Sequence, residues 1–343
     1  MADTKAEEPE RRDVDIAADG DVILALPQNL YLRVSSNALT LVSPVFKAML
    51  GPRFREGKEP RSSDCPIEIP LPEDDGVAMK HLCLLLHGRT GDSYCHGDRT
   101  FPTQLEALAV LADKYDCVEA IALQAEAMLS RFWMYRATDH LRIQQLACLI
   151  SASALLGLAP YFYVFTKSLV LDYCTPYSEE STGLPLLYLF PLEQQRSTAR
   201  LQVHEAMLRV DPEVASCSLC SNRDVPLQNV PALSHCLSQN LGPTTWPPDF
   251  STNSLQNILS EFLWPGDVIF ETKSSCGHDV NATVKSRALS SKADEIYDAL
   301  GLCLLCVKNG GKWTKCCNHE EDKVLAGTLT DRHLGKVLSP GSR

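Results

Sequence analysis

Apolar and polar positions in the first third of the chain predict a small sheet followed by helices. Residues 22–26 and 31–35 predict two strands, joined by a turn at residues 27–29. Two short helices are expected next, split at Ser43-Pro44, because proline suits the first turn of a helix and disrupts its interior. Strict alternation over residues 67–71 is typical of a half-buried strand.

Helical periodicity dominates the chain from there to residue 209. Glu73-Asp74-Asp75 precedes the first long helix, and we interpret it as a solvated turn and helix start in preference to a cation site. Gly157 to Pro160 interrupts the uncharged stretch 143–166, which favours a buried pair of helices over a membrane span. Helices are predicted over residues 77–87, 102–117, 120–131, 139–156, 161–171 and 193–209, with an irregular connection over 176–191.

The composition changes near residue 215, where Cys, Pro, Ser and Asn become frequent up to residue 250. Two more helices are predicted, one from Thr252 or Asn253 to the Trp264-Pro265-Gly266 stop, and one over residues 286–306. Residues 1–18 are acidic and almost free of bulky apolar side chains, and residues 321–343 form the other end of the chain. Both segments are predicted to be disordered tails.

Composition and charge narrow the class of function. The 343 residues can hold two domains, and a hydrophobic content of 45% is that of a globular protein. The net charge of −11, with no Lys/Arg cluster longer than Arg11-Arg12, argues against a nucleic-acid partner. The N-terminus lacks the pattern of a secretory signal, so we expect a cytoplasmic or nuclear protein with reduced cysteines. No phosphate loop, nucleophile elbow or kinase signature is present, and no enzyme is expected.

Three local motifs resemble BTB/POZ domains. LADKYDC at residues 111–117 resembles the end of a helix in many members, and Phe54-x-Glu56 resembles a loop of the family. Ser35 stands where the family usually carries His. The family pattern "VH…L…SP.F..M(L/F)" is matched by Val34, Leu39, Ser43, Pro44, Phe46, Met49 and Leu50.

The resemblance covers residues 19–131 and implies an α+β fold, in which a small sheet carries a cluster of helices. A mostly helical extension at residues 132–214 resembles fungal BTB proteins, and a Cys/His-containing, mostly helical region would follow at 215–320. The implied function is non-enzymatic protein binding, through homodimerisation or partner recruitment. In one branch of the family the domain recruits a cullin ubiquitin-ligase scaffold.

The resemblance also suggests interaction residues. Asp21 matches an Asp near the dimer interface of family members, although it could equally be a strand-start residue that faces solvent. Phe46, Met49, Phe54 and Tyr115 correspond to regions near the surface that meets cullin. Phe46 and Met49 fall at i,i+3 on a short helix, so a role in the core is the alternative.

The last third of the chain holds cysteine and histidine pairs that suit a structural zinc ion. Cys217-x2-Cys220 and Cys303-x2-Cys306 have the spacing that lets two thiolates converge on one ion. GLCLLC at residues 301–306 resembles a fungal BTB motif that follows a Cys-rich element, here Cys276-x-His278, so the implied ligands are Cys276, His278, Cys303 and Cys306. Inert core thiols or a redox pair are the alternatives. The alternative function is therefore a zinc-stabilised regulatory scaffold, in which this Cys/His region recognises the partner.

Overall fold

The computed structural model describes residues 11–89, 99–136, 141–208, 213–214, 249–262, 268–273, 279–284 and 286–309. The chain divides into two compact units, of which the first reaches Phe162 and the second begins at Tyr163. Helices and two small sheets make the protein an α+β structure, as the sequence predicts. The predicted tail at residues 321–343 lies outside the described residues, as do residues 1–10.

The first unit is built on a four-stranded mixed sheet. Its order is β1-β3-β2-β4, with β2 antiparallel to β3 and with β1 and β4 parallel to their neighbours. Every second residue of β2 and β3 is buried, and buried and exposed residues alternate along β4, as the pattern of residues 67–71 predicts. The strands are β1 Arg12–Asp15, β2 Val22–Leu26, β3 Leu30–Val34 and β4 Ile67–Pro70.

Seven helices complete this unit within the described residues. The long helix α5 packs against α4 and α7, and α4 also contacts α1 and β3, so the apolar stripes of these helices form one core. The helices are α1 Ser36–Val42, α2 Pro44–Met49, α3 Arg55–Lys58, α4 Gly76–Leu86, α5 Phe101–Lys114, α6 Val118–Arg136 and α7 Ile143–Leu155.

The second unit is mainly helical and also contains a small antiparallel sheet, of order β5-β7-β6. Helix α8 leads into it from the first unit, and α10 packs against α12. The helices are α8 Ala159–Asp172, α9 Glu179–Thr182, α10 Leu186–Leu208, α11 Leu255–Phe262, α12 Ser286–Asp298 and α13 Leu304–Lys308. The strands are β5 Glu213–Val214, β6 Val268–Lys273 and β7 Asp279–Val284.

The break predicted inside the uncharged stretch 143–166 is confirmed. Helix α7 ends at Leu155, Gly157 adopts φ 71°, and α8 begins at Ala159. A positive φ favours glycine, because other residues meet a steric penalty there. Among the described residues, no helix combines the length and the apolar character that crossing a membrane requires.

Two predictions about the first unit are wrong in part. Residues 12–15 lie in the predicted disordered tail, yet they form β1, because β3 offers a free edge with which this charged segment pairs. The boundary at residue 131 falls inside α6, which continues to Arg136, and α7 packs on α5. The first compact unit therefore extends beyond residue 131.

Two predictions about the second unit also differ from the structure, and one of its elements was not predicted. Residues 176–191 are not wholly irregular, because α9 forms there and α10 already begins at Leu186, with Pro191 inside it. The helix expected over residues 286–306 is broken between Asp298 and Leu304. Gly301 lies in this break with φ 106°, a conformation that no helix contains. The β6–β7 hairpin was not predicted.

Candidate interaction surface

Two of the three motif segments, the one that contains Ser43 and Phe46 and the one at residues 111–117, meet in the core of the first unit. Ser43 begins α2, and its hydroxyl accepts a hydrogen bond from Phe46 N at 3.0 Å. The same hydroxyl donates to the Tyr115 carbonyl oxygen at 2.6 Å, across 72 residues of sequence. The rings of Phe46 and Tyr115 stack with centroids 4.4 Å apart, and both are buried. Phe46 therefore lies in the core, which was the alternative to an interaction role for this residue, and Tyr115 lies there too.

A buried carboxylate lies behind this stack. Tyr115 Oη donates to Asp74 at 2.5 Å, and Lys114 Nζ lies 2.6 Å from the same carboxylate. Burial and the hydrogen bond to Asp74 raise the pKa of Tyr115, so the phenol keeps its proton and remains the donor. The interpretation of residues 73–75 as a solvated turn is therefore wrong for Asp74, which is buried because Tyr115 and Lys114 satisfy its charge. Asp75 caps α4 by accepting from Ala78 N at 2.7 Å.

Asp21 fixes the start of α1. Its carboxylate accepts from the backbone N and the hydroxyl of Ser36, at 2.8 and 2.7 Å, and lies 3.2 Å from Arg61 Nε. Burial opposes the charge, yet the Ser36 hydrogen bonds and the Arg61 charge together bring the pKa of Asp21 below its ordinary value. Asp21 is thus a half-buried, ionised helix cap with part of its side chain in reach of a partner.

His87 also holds the start of α1, and sequence reasoning missed it. Ser35 N donates to its Nε2 at 3.0 Å, while Nδ1 lies 2.6 Å from the Cys83 carbonyl oxygen. A carbonyl only accepts, so Nδ1 carries the proton and the ring is neutral. Burial and the nearby charge of Arg89 lower the pKa of His87. No signal in the sequence pointed to this contact, because 52 residues separate its two partners.

The exposed apolar side chains of the first unit include one that no motif pointed to. Leu41 is 85% exposed on α1, and Val77 is exposed on α4, the helix with which α1 is in contact. Phe54 is exposed and Met49 is half-buried, so these two predicted interaction residues, like the half-buried Asp21, lie where a partner can touch them. Leu41 could have been noticed as the bulky apolar residue that shares a helix face with Asn37 at i,i+4.

The Cys303–Cys306 segment is docked in the second unit through its backbone. Gln195 Nε2 donates to the Gly301 carbonyl oxygen at 2.9 Å, and Gly301 N donates to Gln195 Oε1 at 3.2 Å. Leu302 N donates to Thr166 Oγ1 at 3.0 Å. Cys303 is half-buried at the start of α13, and Cys306 is buried within that helix.

Zinc binding stays a prediction. Cys217, Cys220, Cys276 and His278 lie outside the described residues. Within the part of the chain that the structure describes, no group of three or more His, Cys, Asp or Glu side chains is placed to hold a metal ion. Cys303 directly precedes α13 and Cys306 lies within it, and neither forms a disulfide bond.

A buried arginine in the second unit was not anticipated. Arg196 is 1% exposed, donates to the Thr175 carbonyl oxygen, and pairs with Glu193 at 2.5 Å. Its guanidinium lies 4.2 Å from the centroid of the Tyr177 ring. Tyr177 Oη in turn donates to the Leu169 carbonyl oxygen at 2.7 Å. These contacts tie the segment before α9 to α8 and α10, and periodicity alone could not have assigned them.

No protein-family model, no curated protein and no solved structure matches this chain significantly. The residues themselves therefore carry the functional argument.

Proposed function

We propose that the chain is a non-enzymatic protein-interaction module whose first unit self-associates and recruits protein partners, as do the BTB/POZ domains that it resembles. The observation that supports this most is the junction of the two motif segments. Ser43 donates to the Tyr115 carbonyl oxygen, and Phe46 stacks on the Tyr115 ring. Residues that match a family pattern at separate places in the sequence thus form one packed unit.

The α1 surface is the face that we assign to self-association. Leu41 projects there as a largely exposed apolar side chain, and interfaces between identical subunits bury such residues at their centre. Asp21 and His87 both hold the start of α1, by bonding to the backbone of Ser36 and Ser35. Two side-chain anchors on one short helix give it the fixed orientation that a self-complementary interface needs.

Light scattering on the full chain tests self-association. We expect twice the chain mass for the wild type at micromolar concentration, and Leu41→Glu should reduce it to a single chain. A carboxylate at the centre of an apolar interface would be buried without a partner. Leu123→Glu is the matched control, because Leu123 is equally apolar and exposed but lies on α6. A wild-type monomer, or a dimer that Leu41→Glu leaves intact, would overturn the assignment of this face.

Recruitment of a cullin scaffold is the more specific part of the proposal, and Phe54 provides its test. Phe54 is exposed at the start of α3, whereas Phe46 and Tyr115 are inside the core. A substitution of Phe54 thus changes the surface and leaves the stack intact. We expect a cullin N-terminal region to co-elute with the wild type and to be lost with Phe54→Ala. If the cullin region does not bind the wild-type dimer, the chain is an interaction scaffold without that partner.

A further inference from the structure

The start of α10 carries an exposed apolar surface in the second unit. Leu186, Leu187 and Phe190 are 66%, 50% and 68% exposed, respectively. Leu186 and Phe190 are spaced i,i+4 and Leu187 and Phe190 i,i+3, so the three side chains are neighbours on one side of the helix. We call these three residues the α10 patch. Large exposed apolar side chains that adjoin one another, unlike scattered ones, mark interaction sites.

The sequence around the α10 patch is acidic. No lysine or arginine occurs from residue 168 to residue 195, whereas this stretch contains Asp172, Glu179, Glu180 and Glu193. Glu193 is neutralised by the buried Arg196. Glu179 and Glu180 are exposed on α9, which only three residues separate from α10. The positive end of the α10 dipole, about half a charge, is smaller than the charge of these two carboxylates.

Pro191 removes one helical hydrogen bond beside the patch. It lies within α10 and has no backbone N–H, so the carbonyl oxygen of Leu187 receives no hydrogen bond from residue 191. This carbonyl belongs to one of the three patch residues. Exposed apolar side chains at the start of α10 and exposed carboxylates on α9 together favour a ligand that is apolar and positively charged.

We infer that the α10 patch docks an amphipathic helix of a partner protein, one that places Leu-like side chains on the patch and Lys or Arg at its margin. The charge complementarity selects this occupant, because an acidic or neutral helix would gain the apolar contact without the attraction of Glu179 and Glu180. The site lies in the second unit and does not depend on self-association through α1.

A fluorescent peptide about 20 residues long, with Leu at i, i+3, i+4 and i+7 and Lys elsewhere, is the probe. Its anisotropy is titrated with the full chain, beside a peptide in which Glu replaces every Lys. We expect binding of the Lys peptide only, weakened at least about tenfold by the double variant Leu186→Ser/Phe190→Ser, since buried apolar anchors dominate such interfaces. Leu201→Ser is the matched control, because Leu201 is exposed on α10 three turns further along and should not matter.

The charge contribution has its own variant. Glu179→Gln/Glu180→Gln should weaken binding about threefold at ~0.05 M salt and have no effect at ~0.5 M, where exposed charges are screened. Binding that is unchanged in the Leu186→Ser/Phe190→Ser variant would show general attraction to an acidic protein and overturn the proposal. Absence of binding to the wild type would overturn it as well. Patch-dependent sedimentation with phosphatidylcholine vesicles, without peptide binding, would overturn it in favour of a lipid surface.

Discussion

Gln195 and Gly301 exchange two hydrogen bonds through a single side-chain amide. The Gln195 amide nitrogen donates to the Gly301 carbonyl at 2.9 Å, and its oxygen accepts from Gly301 N at 3.2 Å. The amide thus replaces a backbone partner for a residue that lies between α12 and α13. The cysteine motif at residues 301–306 thereby acquires a structural role that does not depend on metal.

Gln195→Ala should loosen the docked segment. Loss of the amide leaves both backbone groups of Gly301 without their partner, which costs about 1–3 kcal/mol. We expect faster hydrogen exchange in peptides covering residues 299–308, measured by mass spectrometry on the full chain. Gln194→Ala is the control, because Gln194 is exposed on the same helix. Equal exchange in the two variants would contradict the role of Gln195.

Gly301→Ala should be more harmful than an ordinary change at a positive φ. Gly301 has φ 106°, and a Cβ there would lie 2.5 Å from the Tyr163 ring. Gly183→Ala is a matched comparison, with φ 76° and nothing within 4 Å of the added carbon. Conformational strain costs each variant about 1–3 kcal/mol, and the Gly301 variant adds the clash. Urea unfolding should therefore show a clearly larger loss for Gly301→Ala, and equal losses would contradict the contact.

Tyr115→Phe should destabilise the first unit while preserving its ring stack. The hydroxyl satisfies the buried Asp74, and its removal leaves the carboxylate with the Lys114 partner but without this donor. We expect the free energy of unfolding to fall by about 1–3 kcal/mol, because a buried acceptor loses its bond. Tyr31→Phe is the control. The Arg11 guanidinium lies 3.7 Å from the centroid of the Tyr31 ring, a contact that phenylalanine can also make, and no buried carboxylate loses a donor. A loss no larger than that of Tyr31→Phe would contradict the network.

His87 should make the protein less stable in mild acid. Its folded pKa lies below the ordinary value of about 6.5, so the unfolded chain binds more protons in this range. The free energy of unfolding therefore falls as the pH drops from about 6.5 towards the folded pKa. Protonation of Nε2 would also remove the acceptor used by Ser35 N.

Urea unfolding between about pH 7.5 and 5 measures this dependence. Burial also lowers the pKa of His81, so His87→Gln should reduce the pH dependence and not abolish it. His81→Gln is the comparison, and it should remove the separate contribution of His81 to the dependence of the free energy of unfolding on pH. A slope that His87→Gln leaves at its wild-type value would contradict the neutral, half-buried state of His87.

Much of the local structure could be read from the sequence alone. The strand pair at residues 22–34, the Ser43-Pro44 split and the Gly157 break follow from short apolar runs, proline geometry and the conformational freedom of glycine, all of which act over a few residues. The α10 patch was not predicted, because residues 176–191 were expected to form an irregular connection. Periodicity also does not say which face of a helix remains exposed.

Tertiary structure alone decided the polar contacts that hold the elements in place. Tyr115 meets Asp74 across 41 residues, Ser35 meets His87 across 52, and Gln195 meets Gly301 across 106. The charged segment that became β1 likewise depended on the free edge of β3. Secondary-structure propensity depends on a residue and its neighbours in the sequence. A buried polar group of the kind described here is tolerated because a residue distant in the sequence supplies its partner. The sequence by itself therefore determined the elements that follow from local patterns, such as β2, β3 and the break between α7 and α8, whereas the folded chain decided β1 and the polar partners.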